Sequence, residues 1–288
     1  MHLIYLIFHF QATHFLCGRE SRIDGRGKRG YNVAKEDKES NRMQTGEERF
    51  SRTERVLGNA GMERLANARV AVFGIGGVGG HVAEALVRSG LGRIDLIDPD
   101  VVAVSNINRQ IFATDRTVGM RKVDAAAERL RAISPACEIR IFPLLFLPET
   151  ADRIRFADYD YVVDAIDNVS GKIQIILSAN EAGVPVISSM GTGNKVDPSK
   201  LRVGDVFETR VCPLARVMRH ELRKRGIDRL RVVYSEETPV AVSEQQIGAN
   251  GKPVPGSVSF VPSVAGLLMA AEVVRALCGE REISDQAN

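Results

Sequence analysis

Residues 68–98 read ARVAVFGIGGVGGHVAEALVRSGLGRIDLID, and the fold turns on this stretch. ARVAVFGI (68–75) is a short apolar run rich in β-branched residues, which suits a buried parallel strand. The glycine set Gly74-Ile75-Gly76-Gly77-Val78-Gly79 follows, and then Val78, Val82, Leu86 and Val87 recur at helical spacing until Gly90. RIDLI (93–97) is a second strand, closing on Asp98. Strand, glycine turn, helix and acidic-ended strand together predict a βαβ unit whose turn can cradle a phosphate. Gly74, Gly76, Gly77 and Gly79 let the backbone approach the ligand, the helix N-terminus supplies free N–H groups, and Asp98 can accept from ribose hydroxyls. The unit alone does not separate a dinucleotide from ATP. A glycine turn serving only tight strand–helix packing is the plainer alternative.

Outward from this unit the alternation continues. Residues 121–133 pattern as a helix stopped by Ser134-Pro135, 138–145 and 161–166 as strands, 172–182 as a helix and 184–188 as a strand. The expectation is an α/β fold with a doubly wound, mostly parallel Rossmann-like sheet, ligands binding beyond the carboxyl ends of its strands. Past Gly191 the pattern loosens into a smaller C-terminal extension: a basic helix over 213–225, a strand over 230–234 and a polar loop over 245–256. Residues 262–278 form an apolar segment expected to pack as a helix under the sheet. Glu272 and Arg275 interrupt that segment, which argues against a membrane span.

The 288 residues suffice for one sizeable core. A net charge of +3 does not announce a polyanion partner, although a local basic patch still can. Cys17, Cys137, Cys212 and Cys278 are scattered without a C-x-x-C pair, so no zinc is expected, and reduced thiols in the cytoplasm are the default. MHLIYLIFHFQATHFLC (1–17) is apolar, but it lacks a basic leader and His9, Gln11 and His14 interrupt it, which is unlike a signal peptide. The polar, charged run that follows cannot offset its ordering entropy. Residues 1–48 are therefore expected to be a disordered tail, with a mis-called start ahead of Met43 as one origin for it. Residues 49–278 are the expected ATP-binding domain and 279–288 a flexible C-terminus.

The segment VSNINRQI (104–111) separates ATP from a nicotinamide cofactor. Asn106, Asn108, Arg109 and Gln110 form a dense set of donors after a strand, as needed where pyrophosphate charge must be neutralised on leaving. Lys122 opens the next helix, adding an ammonium to that helix's positive end. Asp167 and Asn168 follow the strand YVVDAI, where one carboxylate can hold magnesium while phosphates supply other ligands. Each has a blander reading, solvated for Arg109 and Lys122 and a helix cap for Asp167. Their recurrence at successive strand ends favours an ATP site, to which Asp100 also belongs.

In order, GIGGVG, Asp98, NINRQ, VGMRK and AIDN resemble the nucleotide site of the ubiquitin-activating-enzyme superfamily, which includes the bacterial ThiF and MoeB adenylyltransferases; the resemblance runs from about Arg49 to Gly266. It implies ATP and Mg2+, attack of a carboxylate on the α-phosphate, an acyl-adenylate and pyrophosphate release. Asp98 would then bind ribose, Arg109 and Lys122 would contact phosphates, and Asp167 would hold the magnesium ion. It also implies a homodimer in which an N-terminal arginine, Arg52 or Arg55, reaches the partner's site.

RFSRTERVLG, GTGNKVDPSKL, VVYSEETP and GSVSFVPSVAGL narrow the resemblance to the tRNA threonylcarbamoyladenosine dehydratase branch. That branch commonly has Asp where this chain has Cys212. The implied reaction activates the threonylcarbamoyl carboxylate at tRNA position 37 and closes it into a ring, the attacking group belonging to the substrate. A catalytic thiol is then unnecessary, and Cys212 reads chiefly as a residue of a helix N-cap region. Arg216, Arg219 and Arg223 share one helix face, and with Lys224 and Arg225 they form a candidate surface for tRNA phosphates. An ordinary solvated face is the alternative. Whether a sulfur-transfer protein is a partner is left open by the residues.

Three rivals make different predictions. An adenylyltransferase for a sulfur-carrier protein would bind a Gly-Gly-ended partner and depend on Cys212. An NAD-dependent oxidoreductase would bind NADH and release no pyrophosphate. A non-catalytic scaffold would have lost the ATP-contacting residues, which are present.

Overall fold

The structure, a computed structural model, describes residues 38–241, 247 and 254–279. The readings of residues 1–37, of most of the 245–256 loop and of 280–288 lie outside the described residues. The chain divides into two compact units, 1–45 and 46–288, and the sheet with its flanking helices belongs to the second. Helix α1 (Lys38–Asn67) is broken at Gly58, where φ is 68°. It starts ahead of the boundary expected at residue 49. Lys, Glu, Arg, Met and Gln are frequent over residues 38–48, and their helix propensity is good.

A seven-stranded sheet follows: β1 (Arg69–Phe73), β2 (Arg93–Ile97), β3 (Glu138–Phe142), β4 (Tyr161–Asp164), β5 (Val186–Ser189), β6 (Leu201–Asp205) and β7 (Arg231–Ser235), in spatial order β3-β2-β1-β4-β5-β7-β6. All pairings are parallel except β6 with β7. The helices are α2 (Gly79–Arg88), α3 (Lys122–Ile133), α4 (Val169–Glu181), α5 (Pro213–Arg223) and α6 (Phe260–Cys278). The order reverses between β1 and β4, and a doubly wound sheet opens a ligand crevice at such a reversal. The expected fold class is the observed one.

Alternation along β1 divides the core. Val70 and Val72 face a cluster with α2, α3 and α6, while Ala71 and Phe73 face one with Phe146, Phe156 and Ile175 of α4. A third cluster packs Met218 and Leu222 of α5 on Ile173 and Ile176 of α4. α6 lies on α2 at unusually close range, because a β-carbon at Gly266 would fall 2.5 Å from the Val78 carbonyl. Half of its most apolar stretch is buried inside the protein.

Several boundaries differ from expectation. β3 stops at Phe142 because Pro143 cannot donate to the ladder. β4 stops at Asp164, leaving 165–168 as a loop, and α4 starts directly after Asn168. α6 begins ahead of Pro262, which a first helical turn tolerates. β6 has no counterpart in the sequence reading: LRVGD is a short edge strand whose period-two signal rests on two residues, Leu201 and Val203.

Candidate nucleotide site

The glycine turn leaves β1 at the sheet's carboxyl edge. Gly74 takes φ 87°. A β-carbon there would meet the Ala165 carbonyl oxygen at 2.7 Å, and one on Gly79 would lie 1.8 Å from the Gly74 carbonyl oxygen. These two glycines are required by the chain itself. At Gly76 the nearest atom to an added β-carbon is Gln110 Nε2 at 3.8 Å, so space remains above the turn for a ligand. Gly77 lies under the Arg109 stem, 3.3 Å from its Cγ.

Asp98, buried at the end of β2, ties this turn to its own. Its Oδ2 accepts from Ile75 N–H at 2.6 Å and its Oδ1 from Asp100 N–H at 2.8 Å. Lys122 Nζ is 3.9 Å from Asp98 Oδ1 and 2.6 Å from Asp100 Oδ2. Burial raises the Asp98 carboxyl above its ordinary value, and the Lys122 charge and the two N–H groups offset only part of that. Lys122 stays at the mouth of the site because its backbone N–H donates to Asp100 O at 2.9 Å. Asp100 is thus the residue that holds Lys122 in place.

The Asn-Arg-Gln segment is built around a short 3-10 turn, Val104–Asn106. Asn106 Oδ1 accepts from Ala103 N–H at 3.0 Å, so its amide holds the turn. Arg109 reaches Ser105 O at 3.0 Å and Asn108 Oδ1 at 2.7 Å, while Asn108 Nδ2 donates to Ser257 O at 3.0 Å, just before α6. Gln110 is buried against the glycine turn. The loop after β4 lies on the same turn: Ala165 N–H donates to Phe73 O at 2.8 Å. Asp167 is exposed at its tip, and Asn168 caps α4 by accepting from Gly171 N–H at 2.9 Å. The structure therefore gathers Gly74, Gly76, Gly77, Gly79, Asp98, Asp100, Asn106, Arg109, Gln110, Lys122, Asp167 and Asn168 along the carboxyl edge.

It does not bring Arg52 or Arg55 there. Both are exposed on α1. Their neighbours Phe50 and Glu54 line a hollow with Gly90–Gly92 and Ser134, Ala136 and Cys137, beyond the amino ends of β2 and β3. These arginines lie at the opposite end of the sheet from their own chain's glycine turn.

Cys212 is 1 % exposed at the N-cap of α5, sealed against Gly191. A nucleophile there would have no approach. Of the basic residues on and after α5, Arg219 bonds Thr209 Oγ1, Arg223 lies over the Phe207 ring, and Lys224 and Arg225 pair with Glu221. Arg216 is exposed and has none of these local partners.

Two further groups do not stand out in the sequence. Asp164, Lys172 and Ser188 form a buried polar cluster below the Asp167 loop. The signal available is a charge in the apolar strand YVVDAI and a second, eight residues on, in an apolar helix. The other group braces the loop after β5. Asn194, at φ 55°, exchanges bonds with Gly256 through its N–H (2.8 Å) and Oδ1 (2.6 Å), and Lys195 Nζ donates to Glu237 O at 2.7 Å. In the sequence, GTGNK carries only a motif resemblance.

A doubly wound sheet with a glycine turn, a buried aspartate and converging cationic and amide donors defines a nucleotide-binding enzyme fold of the adenylating type. The chain belongs to the ThiF family, whose model matches residues 50–288. It is 42% identical over 246 residues to the tRNA threonylcarbamoyladenosine dehydratase of Bacillus subtilis, covering 81% of this chain and 96% of that protein. The crystal structure of Escherichia coli tRNA N6-threonylcarbamoyladenosine dehydratase with AMP superposes at TM-score 0.75 and 31% identity, over 82% of this chain and 96% of that one. The same enzyme with ATP superposes at TM-score 0.74.

Proposed function

We propose that this protein is an ATP-dependent tRNA threonylcarbamoyladenosine dehydratase. The observation that carries the reading is the match to a dehydratase of that name over nearly its whole length, on a doubly wound fold of the same family. A carboxylate oxygen of the threonylcarbamoyl group attacks the α-phosphorus of ATP. The bond to the β-phosphate oxygen breaks and pyrophosphate leaves. A group of the same side chain then attacks the activated carbonyl and expels AMP, so the nucleoside loses the elements of one water.

In this reading Asp98 holds ribose, the glycine turn and the start of α2 cradle phosphates, and Arg109 and Lys122 offset charge that grows as pyrophosphate departs. Asn106 and Gln110 keep the Arg109 segment against the turn, and Asn168 does the same for Asp167. Asp167 suits magnesium: it is a single exposed carboxylate beside the phosphate turn, and among the described residues no group of three or more His, Cys, Asp or Glu gathers to cage a metal. One or two carboxylates plus phosphates is how magnesium is usually bound, and it would neutralise phosphate charge there.

The position of Arg52 and Arg55 supports a homodimer that delivers one of them to the partner's crevice. Arg216, with Arg219, Arg223, Lys224 and Arg225 behind it, supports contact with tRNA phosphates. Reduced, buried Cys137, Cys212 and Cys278 support a cytoplasmic setting.

The test is formation of AMP and pyrophosphate with tRNA carrying threonylcarbamoyladenosine, followed by mass analysis of the nucleoside. AMP with loss of one water is the expected result. AMP only with a Gly-Gly-ended carrier protein would move the enzyme to the sulfur-carrier branch.

A further inference from the structure

Asp164 ends β4, and its carboxylate is wholly enclosed. Lys172 Nζ donates to Oδ1 at 3.1 Å and to Oδ2 at 3.0 Å, and both side chains are 0% exposed. Ser188 of β5 donates through Oγ to Oδ2 at 2.5 Å. Ile166 N–H adds a longer contact to Oδ1 at 3.3 Å. Desolvating two opposite charges costs about as much as their attraction returns, and apolar residues of similar size often serve stability as well. Stability alone therefore gives no reason for this pair; the geometry it enforces does.

That geometry is a closed ring. Asp164 leads into the loop 165–168, Asn168 caps α4, and Lys172, in the second turn of α4, returns to Asp164. The loop rests on the glycine turn, where the Ala165 carbonyl leaves no room for a β-carbon on Gly74, and the Ala165 β-carbon is 3.1 Å from the place one would take on Gly79. Asp167 is the exposed tip of the ring. Ala165 N–H on Phe73 O and the Asn168 cap hold the two ends of the loop, and the buried pair ties the strand and helix from which those ends spring.

We propose that Asp164, Lys172 and Ser188 are positioning residues that hold the Asp167 carboxylate at the glycine turn, and so set the affinity for a divalent cation bound with the nucleotide. The assignment rests on the reading of Asp167 as the magnesium residue. Groups that orient a metal ligand from behind typically change metal affinity ~10–100-fold when removed.

The experiment measures ATP binding to the full chain by calorimetry, with Mg2+ and with EDTA, alongside thermal melting. Wild type should bind ATP measurably more tightly with Mg2+ than with EDTA. Lys172→Met alone strands a buried carboxylate and should melt well below wild type. The neutral pair Asp164→Leu/Lys172→Met should recover most of the melting temperature yet lose the Mg2+ increment. Ser188→Ala should keep the fold and lose part of the increment. A double variant with a wild-type melting temperature and a wild-type increment would overturn the assignment, leaving the pair purely structural. If the double variant does not fold, Ser188→Ala decides, and a full increment there is the overturning result. If wild type itself shows no increment, the magnesium reading of Asp167 fails and the positioning assignment falls with it. The substrate reading stands or falls on AMP formation, a separate measurement.

Discussion

At the scale of single residues, the glycine turn separates what the chain needs from what a ligand needs. Gly79→Ala would drive a methyl into the Gly74 carbonyl and should prevent the turn from forming, seen as loss of soluble folded protein. Gly76→Ala meets nothing closer than 3.8 Å and should melt close to wild type. If phosphate occupies that space, ATP affinity should still fall ~10-fold or more, about 1.4 kcal/mol; unchanged affinity would place the phosphates elsewhere. Lys122 carries a second residue-scale prediction. Asp98 has a raised carboxyl pKa in the fold, so its protonated form favours the folded state and its ionised form disfavours it. Asp98 therefore contributes stability below its ordinary value of 3.8, and that contribution is lost as pH rises through the elevated value. Lys122 limits the loss because its attraction to Asp98, unlike its closer pairing with the exposed Asp100, exists only once Asp98 is ionised. Lys122→Met should thus cost little near pH 4 and on the order of 1–3 kcal/mol near pH 7, read as a gap between melting curves that widens with pH. A gap that is constant with pH would mean that Asp98 does not sense Lys122.

At the scale of elements, the amino half of the sheet is stitched by a buried ionic network. Asp95 of β2 is fully enclosed and accepts from Arg69 of β1 (3.1 Å), from Arg140 of β3 (2.6 Å) and from the Tyr159 hydroxyl (2.8 Å). Burial and the Asp95 charge push the Tyr159 phenol above its ordinary range, so it remains a donor. Asp95→Ala would leave the arginines without their shared acceptor, at a cost of about 3 kcal/mol, a melting-temperature drop of roughly 6–12 °C for a domain of this size. A drop below a few degrees would mean that solvent reaches Arg140 and compensates. Elements also differ in how legible they are from sequence. β1, α2 and β2 are legible because strand, turn and helix each obey a local rule within a few residues. The residues proposed as nucleotide donors are legible as a spatial set because they follow strand ends directly. The Asp95 network and the Asp164–Lys172 pair are not, since their partners come from strands and helices apart in sequence and only the sheet order and the return of α4 make them neighbours. β6 escapes for a related reason: its place is set by pairing with β7, not by its own weak alternation.

At the scale of the whole molecule, one pair of the residues proposed for the site is displaced from the rest. Arg52 and Arg55 sit on α1, past the amino ends of the strands, while the nucleotide donors sit past the carboxyl ends. A parallel sheet keeps its two ends apart, so in the proposed homodimer an arginine that acts in the crevice would come from the second copy, as a closed two-fold dimer allows. Complementation tests this directly. A chain carrying Arg52→Ala and Arg55→Ala and a chain carrying Lys122→Ala should each be nearly inactive alone. Lys122→Ala damages the crevice and spares the arginines; the arginine variant does the reverse. In a mixed dimer, one crevice combines intact donors with an intact partner arginine. Random pairing makes about half of the dimers mixed, each with one working site, so co-refolding should restore roughly a quarter of wild-type AMP formation. Single substitutions would show which arginine matters, because only one of the two should be needed for the recovery. No recovery, with mixed dimers demonstrated by mass, would mean that the crevice works without an arginine from its partner.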